Sequence, residues 1–287
     1  MLHSLPDHPA IARTLDEVSE ALGENVLNLD TAKALRSTVS VQLALLVSGV
    51  SVARALIAEG AEPEAVAGLS AGAFSAAVAA GVLSLADAVR LVKQRAEMMA
   101  ELYPKGYGLS VVVGLNESQV SRLVQQAYSE QSPVYLSDIN APREIVIAGS
   151  NEGMDKVLAS ARMSGARKAK RLDVAVPSHC LLLEPVADAL KMTLQTIQVE
   201  QPKMVYVGNV TGRALRSAEA IAEDVVSNIA HGVRWYDATT VLEELGCRVF
   251  LEMPPGHVLS ELARNAFPDV RSLALSETSI QAALRLI

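Results

Sequence analysis

The chain has 287 residues, half of them apolar but only 3% aromatic, so any core it builds is aliphatic. Its 25 Lys and Arg against 32 Asp and Glu leave a net charge of −7, which argues against a basic face that follows phosphates and so against nucleic-acid binding. The length fits one large α/β domain or two modest ones, and two cysteines, Cys180 and Cys247, supply neither a disulfide framework nor a metal cluster.

The opening MLHSLPDHPAIARTLDEV lacks an apolar core behind a basic start, so no secretory leader is expected. Apolar residues recur at helical spacing through Ala10–Leu22 and Ala34–Leu56. The most apolar stretch, Val39 to Ala53, is interrupted by Gln42, Ser48 and Ser51 and closed by Arg54, which is short and polar for a bilayer span. A cytoplasmic protein without membrane contact is expected. Ala65–Ala67, Gly68-Leu69-Ser70-Ala71-Gly72 and an Ala-rich run to Ala80 read as strand, tight turn and helix. Ser84 with Asp87 makes a capping-box pattern for a helix from Leu85 to Met99.

From Gly108 the pattern changes. Strands are expected at Leu109–Val113, Val134–Ser137, Ile145–Ala148 and Ala169–Leu172, with helices at Ser118–Tyr128 and Asn151–Ser164. That βαββαβ order is the ferredoxin-like signature. Helices near Leu181–Leu194, Ala218–Ile229 and Trp235–Leu245, with strands at Val205–Val207 and Val249–Leu251, resume the earlier alternation. The expectation is an α/β fold: a hydrolase-like, parallel-sheet large domain (1–105 and 177–287) interrupted by a ferredoxin-like small subdomain (106–176).

Gly68–Gly72 fits the nucleophile elbow G-x-S-x-G, which leaves a serine hydroxyl exposed at a helix N-terminus, where the Ala71 amide faces a developing oxyanion. The bland alternative is an N-cap serine between packing glycines. His179, in Val176-Pro177-Ser178-His179-Cys180, is a candidate base, although a histidine before a helix is more often a cap. Arg95 falls on the apolar stripe Leu85, Ala88, Val92, Met99, where a guanidinium is costly unless an anion meets it. That anion is either an internal Asp or Glu or a substrate carboxylate gripped by the bidentate fork. The run Arg162, Arg167, Lys168, Lys170, Arg171 either solvates a strand edge or faces an acidic carrier or CoA phosphates.

With these residues placed, the chain resembles the malonyl-CoA:acyl-carrier-protein transacylases. GLSAG, Arg95 in VKQRAEMM, His179 in VPSHC, Asn140-Ala141-Pro142 before IVIAG, GNVTG, VRW and LEMPPGHVL are similar to that family's blocks. The resemblance implies Ser70 and His179 as the catalytic pair, and Arg95, Ala71 and Asn140 as substrate-binding. It also implies that the Asn228 backbone orients the histidine. The partners it implies are malonyl-CoA and an acyl-carrier protein, with neither metal nor cofactor. Leu69 stands where the family usually has histidine. Ala73-Phe74 and Tyr103–Gly108 look more like the malonate decarboxylase epsilon subunit, which would add that enzyme's other subunits as partners.

The family also opens with a strand and a glutamine-bearing loop that would precede Met1, so a missing first strand and an open slot in the sheet are expected. The alternatives are the fatty-acid-synthesis transacylase, an α/β-hydrolase esterase using Asp224 and His257, and an inactive scaffold subunit.

Overall fold

The computed structural model describes residues 1–287. The chain runs α1 (Pro9–Leu22), α2 (Thr38–Ala58), β1 (Ala65–Ala67), α3 (Gly72–Ala79), α4 (Leu85–Leu102), β2 (Tyr107–Val113), α5 (Glu117–Ala127), β3 (Val134–Ala141), β4 (Glu144–Ser150), α6 (Asn151–Met163) and β5 (Lys168–Arg171). It continues α7 (Glu184–Leu194), β6 (Val205–Val207), β7 (Ala214–Leu215), α8 (Ala218–Ser227), α9 (Trp235–Glu244), β8 (Val249–Glu252), α10 (Val258–Ala266), β9 (Arg271–Ala274) and α11 (Ile280–Leu284). Local chemistry explains the boundaries. His8 caps α1, whose end at Gly23 turns left-handed. Ser84 Oγ accepts the Asp87 amide at the start of α4, and Asn116 with Gln119 forms a full capping box on α5.

Four elements escape the sequence pattern: β7, α10, β9 and α11. Each strand among them has two to four residues, and each helix has nine or fewer, too few to show a period. The parallel sheet also differs from the single sheet expected. β1 pairs with β6 in parallel, and β7 adds to β6 antiparallel. β8 and β9 form a separate parallel pair. A cavity of about 1610 Å³ is lined by both β1 and β8 and reaches Ser70.

The segment from Tyr107 to Arg171 has the order β-α-β-β-α-β and folds into a four-stranded antiparallel sheet, β3-β4-β2-β5. α5 and α6 cover it around a core that includes Val112, Ile145, Ile147 and Met154. The larger core joins α2, α3, α4, α7 and α8 through residues such as Leu43, Phe74, Leu91 and Leu190. α2 is long and apolar enough to cross a membrane, but it is mostly buried among the other helices. Asp138 of β3 forms an isolated parallel bridge to Val233, which lies just before α9.

Candidate active site

β1 delivers the chain into Gly68-Leu69-Ser70-Ala71, and α3 starts at the next residue. The turn is sharp enough that a Cβ on Gly68 would lie 2.1 Å from the Gly72 carbonyl oxygen, so glycine is required there. Gly72 has open space around its Cα, so the second glycine of the elbow carries no such demand. Ser70 takes φ 57°, a left-handed conformation that costs a side chain and persists only where its surroundings enforce it.

Asn209 does that enforcing. Its Oδ1 accepts the Ser70 amide at 3.0 Å and its Nδ2 donates to the Gly68 carbonyl at 2.8 Å. Asp224 in turn accepts the Asn209 and Val210 amides at 2.9 and 3.0 Å. The Ala71 amide makes no hydrogen bond within the protein and sits at the N-terminus of α3, open to a developing negative charge.

His179 lies in the segment before α7, also at φ 57°, with its amide donating to the Ile229 carbonyl at 2.7 Å. The Asn228 carbonyl oxygen is 2.7 Å from Nδ1. A carbonyl only accepts, so Nδ1 carries the ring proton and Nε2 is left as the acceptor. Nε2 is 2.7 Å from Ser70 Oγ. Burial, and then the nearby Arg95 charge, hold the imidazole down to about 3, so it is neutral at rest.

Arg95 is 2% exposed on the inner stripe of α4. Its Nη2 donates to Ser70 Oγ at 3.0 Å and its Nη1 to Gln42 Oε1, while its Nε is buried without a partner. No carboxylate pairs with it, which removes the internal-partner alternative. Burial lowers the guanidinium to about 10, which leaves it charged at neutral pH. A buried cation with an unsatisfied donor and no counter-ion is primed for an anion.

Ser70 Oγ thus accepts from Arg95 and donates to His179, and the arrangement is suited to acyl transfer by a serine nucleophile. Asn140 is not joined to this cluster by any hydrogen bond; its Oδ1 is buried and unpartnered in β3. The esterase pairing is overturned: His257 is exposed and bonded to Glu277 and Glu261, and Asp224 serves the Asn209 turn. Cys180 is buried, its thiol pushed up to about 12 by that burial, and Cys247 is free. In the basic run, Arg171 is taken by Asp155 and Asn151, and Arg162 by the Ala169 carbonyl, leaving Lys168 and Lys170 exposed on β5.

Two contributors are hard to read from the sequence: Gln42 appears only as an interruption of an apolar helix, and Asn209 acts across 139 residues. The GNVTG block was the one available pointer to Asn209.

An acyl transferase domain model matches residues 6–280, and the chain belongs to that family of acyltransferase enzymes. It is 34% identical over 283 residues to the malonyl CoA-acyl carrier protein transacylase of Escherichia coli strain K12, covering 96% of this chain and 91% of that one. The malonyl CoA-acyl carrier protein transacylase of Coxiella burnetii superposes with a TM-score of 0.92 at 31% identity, covering 98% of this chain and 89% of the other. A malonyl-transacylase solved in complex with its type II PKS acyl-carrier protein also gives 0.92, at 32% identity, covering 98% and 92%.

Proposed function

We propose that the chain moves a malonyl group from malonyl-CoA to the thiol of an acyl-carrier protein through a malonyl ester on Ser70. The observation that carries this reading is the placement of Ser70 Oγ, 2.7 Å from His179 Nε2 and 3.0 Å from Arg95 Nη2. The nucleophile has a base on one side and, on the other, a buried cation without a carboxylate. The activity named for the relatives supports the choice of acyl group and carrier.

Ser70 Oγ attacks the thioester carbonyl carbon as its proton passes to His179 Nε2. The oxyanion faces the Ala71 amide at the start of α3. Collapse expels the CoA sulfur, which takes the proton from Nε2. The carrier thiol then attacks the ester, its proton passes to Nε2, and the serine leaves with it. The Asn228 carbonyl holds the ring in the tautomer that both halves need. Arg95 turns its fork to the distal carboxylate and selects malonyl over acetyl. Asn140, with its free buried Oδ1, is assigned to substrate binding. The chain's own residues handle every transfer, so the scheme uses no metal or cofactor.

In this reading 1–105 and 177–287 form the hydrolase-like large domain, 106–176 form the ferredoxin-like subdomain, and the protein works in the cytoplasm. A carrier subunit of malonate decarboxylase is the second reading, favoured by Ala73-Phe74 and Tyr103–Gly108. The names of the relatives favour the acyl-carrier protein. Brief incubation with malonyl-CoA is expected to add a malonyl mass to the Ser70 peptide. Ser70→Ala abolishes this labelling, and His179→Ala slows it by roughly two to four orders of magnitude. Labelling that survives in Ser70→Ala overturns the scheme. Offering the labelled enzyme each carrier in turn decides between the two readings.

A further inference from the structure

Asp138 is a buried carboxyl that the scheme above does not use. Its Oδ2 accepts from Ser137 Oγ at 3.1 Å, while its Oδ1 is buried without a partner and lies 4.0 Å from His179 Nε2. No other carboxylate comes within 4 Å of that ring; the opposite nitrogen meets only the neutral Asn228 carbonyl. The carboxyl is also rigidly placed. The Ile139 amide donates to the Val233 carbonyl and the Val233 amide to the Ser137 carbonyl, both at 2.8 Å. Ser137 Oγ also reaches the Ser178 carbonyl, which ties β3 to the segment that carries His179.

The geometry points to Asp138 as a positioning residue that acts through His179, its carboxylate being the counter-charge for the imidazolium formed when the ring takes the Ser70 proton. The inference rests on the roles proposed above for Ser70 and His179. As the Oγ–C bond forms, the proton moves from Oγ to Nε2 and the ring gains a positive charge beside Oδ1. When the C–S bond breaks, the proton goes to the leaving sulfur and Asp138 is unchanged. At about 4 Å in a dry site the attraction between the two charges is large compared with thermal energy.

Burial raises the Asp138 carboxyl to about 7, opposed by the Ser137 hydroxyl, and lowers His179 to about 3. The first proton bound on acidification therefore goes to Asp138, near neutral pH, beside the His179 ring. The other groups about the carboxyl are Cys180, whose thiol is held protonated, and Arg95 beyond the ring. On the elements packed against β3, Glu117 and Asp237 are taken by Arg234, Glu261 pairs with His257, and Arg264 donates to the Ser260 carbonyl.

Two measurements on the full chain test this. In the first, the His179 ring resonances are followed by NMR from pH 5 to 9, which requires no turnover. They are expected to shift between about pH 6 and 8 in the wild type and to stay still in Asp138→Asn. Resonances that are flat in the wild type, or that move identically in the variant, overturn the inference. In the second, the acylation rate with malonyl-CoA is expected to rise through the same pH range in the wild type. Asp138→Asn loses that rise, falls about tenfold at pH 8 and keeps its KM. A variant that retains the rise and the rate overturns the inference. Should Asp138→Asn not fold, the wild-type NMR titration still decides. Failure of the wild type to acylate, with the ring titration intact, instead counts against the proposed function.

Discussion

Strand β2 of the antiparallel sheet pairs over seven residues with β4 and four with β5, and its Val111–Val113 are buried. Strand β1, which leads into Ser70, has three residues, pairs only with β6 and stays half-buried. The first region is held by its ladder, where a one-residue slip would turn every side chain to the wrong face. The second cannot be. The elbow is fixed by side chains that reach it from elsewhere: Asn209 on its backbone, Asp224 behind Asn209, and Gln42 beneath Arg95. Main-chain pairing sets the position of one region, and a few long-range polar contacts set the position of the other.

The sharpest way to break the second region is to remove its charge. Arg95→Ala is expected to cost malonyl transfer about 2–5 kcal/mol, the range for losing one partner of a buried charged contact. Acetyl transfer changes little. Because the guanidinium lacks a counter-ion in the free protein, its removal is not expected to lower the melting temperature. Comparing kcat/KM for the two acyl-CoAs checks the first part, and calorimetry checks the second. Equal losses on both substrates would make Arg95 a structural residue.

Asn209→Ala tests whether side chains hold the elbow. It removes both of that residue's bonds to the turn, and a displacement of Ser70 by an ångström is expected to lower kcat about a hundredfold. Its far-ultraviolet circular dichroism should match the wild type. The smallest effect belongs to the ladder-held region. Ile147→Val, in the core under the antiparallel sheet, is expected to destabilise by about 1 kcal/mol in denaturant melts and to leave acyl transfer unchanged.

The same contrast decides what was legible in the sequence. The antiparallel region announced itself because its strands and helices are long enough to show a period, and caps such as Asn116–Gln119 mark their ends. The elbow was legible because G-x-S-x-G is contiguous, and Arg95 because a cation interrupts an apolar stripe. The residues that hold the site were not. Asn209 and Gln42 act across 139 and 53 residues on partners with which they share no local pattern. β7, α10, β9 and α11 show no period in the sequence because tertiary packing rather than intrinsic periodicity selects such short elements. The split of the parallel sheet is likewise a property of the folded chain and not of any one segment.

Ser70 and His179 share a feature found at no other non-glycine residue of the chain: both have φ 57°. In the proposed scheme, each of the two side chains that exchange a proton is therefore presented from a backbone that a side chain disfavours, and glycine would adopt either conformation without that strain. The pair thus carries a conflict between endurance and turnover. Drift toward glycine at either position would relax the backbone while ending the proposed chemistry. A population of such chains selected only for folding would be expected to lose Ser70 and His179 first, while the aliphatic core around them stayed intact.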